Sequence, residues 1–246
     1  MKNKTGIVCA YLKEAKSLIK YFDLKKINDK FSIYENEKIS LIISNQGRLN
    51  SAIATTYLLS TRNISNIINF GIAGSSEFEI GEIFLINKIN NKFFPDILIS
   101  HPFRESEIIC FDEVVTGGNY KLVDMESEGF FKAAIKFLKS HQIHLIKVVS
   151  DNLVCFRPSD EFMKNLISPH LENIKNYISS LKEPQKIDLS IAEEIAKKYD
   201  LSFSQKEQLK NRVIYYVLNN LEIPKIDFEK TNRKNDFRRI MNEFKI

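Results

Sequence analysis

The sequence predicts an α/β fold, with a mixed β-sheet between helices and a helical extension at the C-terminal end. Two observations lead to this prediction. Short apolar segments typical of buried strands alternate with amphipathic segments typical of helices up to about Ser180. The composition then changes, and helical patterns follow one another without strands between them. We therefore divide the chain into an α/β domain over residues 1–182 and a helical C-terminal extension over residues 183–246.

The N-terminal segments open an α/β unit. An apolar strand over Thr5–Tyr11 is followed by a helical pattern through Leu18 and Phe22. Two β-rich segments, Phe31–Tyr34 and Ile39–Ser44, flank a polar turn and predict a hairpin. Because a hairpin pairs its strands antiparallel, the sheet is expected to be mixed rather than wholly parallel.

The later segments continue the alternation. The predicted elements are a helix over Ser51–Ser60, strands over Ile64–Phe70 and Ile83–Ile86, a short strand at Leu122–Val123, a helix over Ser127–Leu138 and a strand over Leu145–Val149. Between them, residues 90–118 show no regular pattern. In the extension, Ser190 with Glu193 and Ser204 with Glu207 match capping boxes, which predict the start of two helices.

Composition excludes several classes of protein. The net charge of +5, from 36 basic and 31 acidic residues, is too small an excess to predict nucleic-acid binding. No apolar run approaches the ~20 residues that cross a bilayer, and the N-terminus lacks a signal-peptide pattern. The odd number of widely spaced cysteines, Cys9, Cys110 and Cys155, predicts free thiols in a cytoplasmic protein and no metal site.

Four segments follow predicted strands and carry candidate functional residues. In α/β proteins, ligands bind where loops leave the carboxyl ends of the strands. The four segments are Lys13-Glu14, Gly71–Ser75, Asp124–Glu126 and Ser150–Asn152. Three contain carboxylates and one is rich in glycine, a combination that suits acid–base chemistry on a small hydroxylated molecule. The residues alone leave helix capping, close packing and a solvated helix face open as alternatives.

The sequence also resembles a known family through five motifs in a common order. They are Gly6–Glu14, Asn45–Arg48 with its Gly47, Ile68–Ser75 followed by Ile80–Ile83, Val123–Ser127, and Val149–Asp151. Together they resemble the 5′-methylthioadenosine/S-adenosylhomocysteine nucleosidases of the nucleoside phosphorylase/nucleosidase superfamily. The resemblance implies a three-layer, nucleoside-phosphorylase-like fold whose central mixed, barrel-like sheet is flanked by helices.

The resemblance also implies a role for each matching residue. Asp151 would protonate the purine N7, and Glu14 would activate the attacking water. Glu126 would accept hydrogen bonds from the ribose hydroxyls, with Met125 packed on the sugar. Further substrate contacts are expected from Gly71, Ala73, Gly74 and Asn152. The family implies hydrolysis of a purine nucleoside without cofactor or metal, by a homodimer that needs no membrane or nucleic-acid partner.

Phosphorolysis is the alternative reaction within the superfamily. Phosphorylases hold phosphate with arginines and a serine, because a dianion requires fixed positive charge. Here Asn69 stands where arginine is typical, and Ile72 occupies the serine position of the glycine-rich motif. A carboxylate at Glu14 would repel phosphate but suits water. The sequence therefore favours a nucleosidase over a phosphate-dependent purine nucleoside phosphorylase.

Other features leave a third hypothesis open, a catalytically silent nucleoside-binding or partner-docking protein. Ile72 also departs from the nucleosidases, and residues 91–118 have no recognisable counterpart, so the base and 5′ contacts are not assigned. From Lys230 onward, six basic residues oppose two acidic ones, in an extension that we interpret as a packing or interface element. His101, His141 and His144 are expected at the surface or an interface rather than around a metal.

Overall fold

A computed structural model of the chain describes residues 4–155, 158–181 and 188–244. The chain divides into two compact units, Met1–Ile97 with His101–Glu183, and Leu98–Ser100 with Pro184–Ile246. The boundary expected between residues 182 and 183 lies outside the described residues. All of the candidate functional residues belong to the first unit.

The strands of the first unit form one mixed sheet. They are β1 (Lys4–Cys9), β2 (Lys25–Lys26), β3 (Ile33–Glu35), β4 (Ile39–Ile43), β5 (Ile64–Gly74), β6 (Ile83–Ile89), β7 (Arg104–Cys110), β8 (Val123–Asp124) and β9 (Ile143–Asp151). Their order is β2-β3-β4-β1-β5-β8-β7-β6-β9, and β5 also pairs with β9. This extra pairing closes β5, β8, β7, β6 and β9 into a barrel. The prediction of a mixed, barrel-like sheet is confirmed.

Helices complete both units. The first unit contains α1 (Leu12–Tyr21), α2 (Arg48–Thr61), α3 (Ser127–Ala134), α4 (Asp160–Ile167) and α5 (Leu171–Ser180), and the second contains α6 (Ser190–Lys198), α7 (Phe203–Leu218) and α8 (Arg233–Glu243). None of the described helices is long and apolar enough to cross a membrane.

The core of the first unit follows from its parallel strands. β1 pairs in parallel with β4 and β5, and β5 pairs in parallel with β9. Strands covered on both faces are expected as continuous apolar runs, and all of the residues Ile143–Ser150 are buried. Val8, Ile67 and Leu145 pack with Leu58 of α2 and Phe130 of α3 in the main hydrophobic cluster. The hairpin prediction is also confirmed, since β3 pairs antiparallel with β4.

Two predictions about the sheet are wrong. Residues Gly71–Gly74 do not form a loop; they extend β5 and pair with Lys147–Asp151 of β9. The segment 90–118 contains strand β7, in which Ser106, Ile108 and Cys110 alternate with more exposed residues. The polar start of this strand, Arg104-Glu105, conceals its two-residue period.

Other local predictions are also wrong. Ser190 does not cap α6, because its N–H donates to Asp188 and the residue before the helix is Leu189. Helix α7 begins earlier than expected, with Ser202 and Gln205 forming the capping box. His144 is buried rather than at the surface. In the interior, its Nδ1 lies 2.9 Å from the hydroxyl of Tyr177. The sequence also predicts that Cys155 packs as a small apolar group, but this residue is exposed.

The second unit has a hydrophobic core of its own. Tyr199 of α6, Leu209 and Val213 of α7 and Ile240 of α8 are buried in one cluster. Asp236 is also buried, and its carboxylate accepts hydrogen bonds from the N–H and hydroxyl of Thr231. These hydrogen bonds tie the first turn of α8 to the residue that precedes its N-cap, Asn232.

Gly129 provides a test of the packing between α2 and α3. A Cβ atom at this position would lie 1.9 Å from the carbonyl oxygen of Arg48, so the two helices would have to separate. We expect Gly129→Ala to lower the free energy of unfolding by about 1–3 kcal/mol, as overpacking does. Urea denaturation measures the change. Lys136→Ala, at an exposed position just after α3, is the control and should change stability by less than about 0.5 kcal/mol. Equal effects of the two variants would contradict the packing argument.

Candidate active site

Glu14 lies in the first turn of α1, directly after β1. Its Oε2 accepts hydrogen bonds from the backbone N–H groups of Ala10 at 3.0 Å and Tyr11 at 3.2 Å. The residue is only 3% exposed. A Cβ atom at Gly71 would lie 3.3 Å from the same oxygen, so the missing side chain at Gly71 leaves room for this carboxylate against β5.

Burial has the largest effect on the pKa of Glu14. It raises the pKa to about 7, with Lys147 acting in the opposite direction and the negative charge of Glu126 adding to the rise. The two backbone hydrogen bonds also favour the charged form but do not outweigh burial. A carboxyl group with this pKa exchanges a proton near neutral pH, which is the range in which a general base works best.

Glu126 precedes α3 and is held by the loop before α2. Its Oε1 accepts a hydrogen bond of 2.7 Å from the N–H of Gly47. Gly47 has a φ of 101°, a left-handed conformation that disfavours other residues. Burial raises the pKa of Glu126, and the nearby charge of Asp124 raises it further, while Lys147 opposes both. Glu126 is therefore a second buried carboxylate within the electrostatic reach of Lys147.

Lys147, which the sequence prediction did not include, forms a buried ion pair with Asp124 of the candidate segment Asp124–Glu126. Lys147 Nζ lies 2.8 Å from Asp124 Oδ2, and the two residues are 1% and 7% exposed. Asp124 also accepts hydrogen bonds from the N–H and hydroxyl of Ser127, at 3.0 and 2.7 Å. A single lysine inside the most apolar strand of the sequence was the available signal for this pair.

The charge of Lys147 is maintained by its neighbours. Burial alone would lower its pKa, but the carboxylates of Asp124, Glu126 and Glu14 outweigh burial and raise it. Three buried carboxylates therefore favour the charged form of Lys147. This cluster joins residues from β8, β9, α1 and the start of α3, which are far apart in the sequence.

Asp151 is the last residue of β9 and lies at the carboxyl end of this strand. Its Oδ2 accepts a hydrogen bond of 2.7 Å from the hydroxyl of Ser150, and its Oδ1 accepts one of 3.0 Å from the N–H of Leu153. A Cβ atom at Gly74 would lie 3.1 Å from Asp151 Oδ1, so the glycine allows the carboxylate to approach β5. These contacts fix the orientation of a half-buried carboxylate at the end of β9, four residues along the strand from Lys147.

The remaining predicted site residues range from the hydrophobic core to the surface. Met125 lies between Asp124 and Glu126, and its sulfur accepts a hydrogen bond from the amide of Gln46. The side chain of Ala73 packs in the main hydrophobic cluster, and Asn152 is exposed. No group of three or more His, Cys, Asp or Glu side chains that could hold a metal ion occurs among the described residues.

The positions related to phosphate binding contain no arginine. Asn69 is buried, and its Nδ2 donates to the carbonyl oxygen of Val8 at 3.2 Å. Ile72 is half-buried and pairs with Val148 across β5 and β9. The one cation of the charged cluster, Lys147, is already bonded to Asp124.

Comparison with known proteins shows the fold. Neither a family model nor a curated protein sequence matches the chain. Among solved structures, it is similar to the 5′-methylthioadenosine/S-adenosylhomocysteine nucleosidase of Neisseria meningitidis in complex with methylthio-immucillin-A, with a TM-score of 0.59, 17% identity and coverage of 73% of this chain and 100% of that one. A mutant Helicobacter pylori MTAN with 5′-methylthioadenosine in the active site gives a TM-score of 0.56, 17% identity, and coverage of 74% and 100%.

A futalosine hydrolase mutant of Helicobacter pylori has the same architecture, with a TM-score of 0.58, 15% identity, and coverage of 73% and 100%. The chain therefore shares the fold of these solved structures, as the motifs predicted. About a quarter of the chain is not covered in these comparisons.

The raised pKa of Glu14 predicts a pH-dependent stability. Its pKa is about 7 in the folded chain against an ordinary value of 4.5, so the folded state binds the extra proton between these values. Stability then falls as pH rises through this range. Relative to wild type, Glu14→Gln should gain up to about 3 kcal/mol in unfolding free energy between about pH 4 and pH 8.

Urea denaturation at several pH values measures this difference. Glu37→Gln, an exposed position of the hairpin, controls for the loss of one carboxylate. A constant difference between Glu14→Gln and wild type over the whole pH range would contradict the raised pKa.

Proposed function

We propose that the first unit is a purine nucleoside N-glycosidase, which hydrolyses the N-glycosidic bond of an adenosine-type nucleoside to free base and sugar. The observation that carries the proposal is the cluster of Glu14, Glu126 and Asp124 around Lys147, with Asp151 at the end of the same strand as the lysine. Acid and base groups are thus present on neighbouring elements, as cleavage by water requires.

Each carboxylate has a distinct role in this proposal. Asp151 donates a proton to the purine N7, so that the base leaves as a neutral molecule. Glu126 accepts hydrogen bonds from the ribose hydroxyls, and these strengthen as the sugar gains positive charge in the transition state. Glu14, whose pKa is about 7, takes the proton of the attacking water. Met125 packs on the sugar, and Gly71, Gly74, Ala73 and Asn152 contribute the surrounding surface.

The charge of the cluster favours water over phosphate as the nucleophile. Three buried carboxylates surround one lysine, and the hydrogen-bonded partner of that lysine is Asp124. A phosphate dianion would have to approach Glu14 without a free cation to balance it. A phosphate-dependent phosphorylase is therefore the less favoured enzyme, and a silent binding protein would have no need for a carboxyl group with a pKa of about 7.

The proposal also covers the cellular location, the oligomeric state and the cofactor requirement of the protein. The protein would act in the cytoplasm as a homodimer, with nucleoside and water as its substrates and with no cofactor. The second unit would serve as a packing or interface element.

Incubation of the purified chain with adenosine, inosine, methylthioadenosine and 5′-deoxyadenosine tests the proposal. We expect release of free base without phosphate from at least one of them. Asp151→Asn and Glu126→Gln should each lower kcat by about 10²- to 10⁴-fold, because each removes a group that acts in the transition state. Glu161→Gln, at an exposed position of α4, is the control and should retain full activity. Strict dependence on phosphate with release of ribose-1-phosphate would refute hydrolysis.

A further inference from the structure

Arg48, the first residue of α2, links the loop before this helix to two other parts of the first unit. Its Nη1 lies 2.8 Å from Oε2 of Glu128 in α3. Its Nη2 donates to the carbonyl oxygen of Cys110 at the end of β7, at 3.1 Å, and its Nε lies 3.2 Å from Oδ1 of Asp112. Three polar contacts from one planar guanidinium restrict the position of Arg48 and of the adjacent Gly47.

The contact with Glu128 runs beside the contact that holds Glu126. The N–H of Gly47 donates to Oε1 of Glu126 at 2.7 Å. The next residue, Arg48, is paired with Glu128, which lies two residues after Glu126. The loop before α2 and the start of α3 are therefore joined by two neighbouring links. Because the first link includes the proposed ribose ligand, the second helps to determine where that ligand is held.

Glu128 is a well-fixed partner for the arginine. Its side chain is 9% exposed, its Oε2 accepts a hydrogen bond of 2.8 Å from Nδ2 of Asn90, and its Oε1 lies 2.5 Å from Nζ of Lys132. Burial would raise the pKa of Glu128, but the hydrogen bond from Lys132 and the charge of Arg48 outweigh burial and lower it. Glu128 is therefore charged at neutral pH, as an ion pair with Arg48 requires.

The start of α2 lacks the side-chain cap that many helices have. Its N-cap residue is Gly47, which has no side chain to accept a hydrogen bond from the first turn, and that turn contains no acidic residue. The carbonyl oxygen of Arg48 packs closely on α3, where it would lie 1.9 Å from a Cβ atom at Gly129. The tertiary contacts of Arg48 therefore hold the beginning of the helix in position.

We propose that Arg48 is a positioning residue for Glu126, which acts through the N–H of Gly47 rather than on the substrate. While Arg48 is bound to α3 and β7, this N–H stays on the Glu126 carboxylate and fixes its orientation toward the ribose hydroxyls. Without these contacts, the hydrogen bond opens more often and recognition of the ribose weakens. The inference rests on the proposed function, which assigns Glu126 to the ribose.

Hydrogen exchange of the Gly47 amide, followed by NMR, tests the link in the absence of substrate. Arg48→Met keeps the aliphatic stem and removes the guanidinium, and we expect this amide to exchange at least about 10-fold faster than in wild type. Arg62→Met is the matched control, because Arg62 follows α2 at its other end and is also paired with two carboxylates, those of Asp29 and Glu35. It should leave the exchange of Gly47 within about twofold of wild type.

The preference for adenosine over 2′-deoxyadenosine tests the consequence for catalysis. A hydrogen bond from a hydroxyl to a carboxylate is worth about 10- to 100-fold, so kcat/KM of wild type should favour adenosine by this factor. Arg48→Met should bring the ratio to within about threefold of 1, with the larger loss for adenosine. Arg48→Lys retains a positive charge beside Glu128 and should keep more of the ratio. Arg62→Met should keep the wild-type ratio although it loses stability.

The outcomes separate the two proposals. Unchanged exchange of Gly47 in Arg48→Met, or an equal increase in Arg62→Met, would overturn the positioning role. Faster exchange in Arg48→Met without a fall in the adenosine preference would also overturn it. If wild type neither hydrolyses adenosine nor binds it in calorimetry, the proposed function fails, while the exchange rates still show whether Arg48 holds the loop.

Discussion

The buried ion pair between Lys147 and Asp124 is the interaction on which the rest of the site depends. A charge in the protein interior is costly unless it is paired and hydrogen-bonded. Lys147 satisfies this condition for Asp124 at 2.8 Å and also offsets the charges of Glu14 and Glu126. Without the lysine, the site would hold three buried carboxylates and no cation, and their protonation would change the chemistry that we assign to them.

The closed barrel explains why these groups meet. Strand β5 pairs with β1 on one side and with β8 and β9 in the barrel, so it lies in the middle of the site. Gly71 and Gly74 of this strand leave space for Glu14 and Asp151, and Gly47 turns its N–H toward Glu126. Glycines thus allow several carboxylates to approach a backbone that larger side chains would shield.

Much of this arrangement follows from the sequence, and the remainder has a physical reason. The rule that ligands bind at the carboxyl ends of strands identified the segments that contain Glu14, Glu126 and Asp151. The family resemblance then singled out these three residues. Lys147 was not identified, because a strand lysine is ordinarily solvated, and only the closed barrel covers both faces of β9. Strand β7 was missed because Arg104 and Glu105 hide its period. The helix starts of the extension were misplaced because Ser202 and Asp188, not the predicted serines, supply the side-chain acceptors.

The free energy of unfolding of Lys147→Met, compared with the double variant Lys147→Met/Asp124→Leu, tests the central role of the ion pair most directly. Removal of the lysine alone leaves a buried carboxylate unpaired, and we expect a loss of about 3–5 kcal/mol at pH 8. The added Asp124→Leu substitution should restore part of this stability, because it removes the unpaired charge. Two results would contradict the account. One is a stability of Lys147→Met within about 0.5 kcal/mol of wild type. The other is strict additivity, in which Asp124→Leu lowers the free energy of unfolding by the same amount in the Lys147→Met background as in wild type.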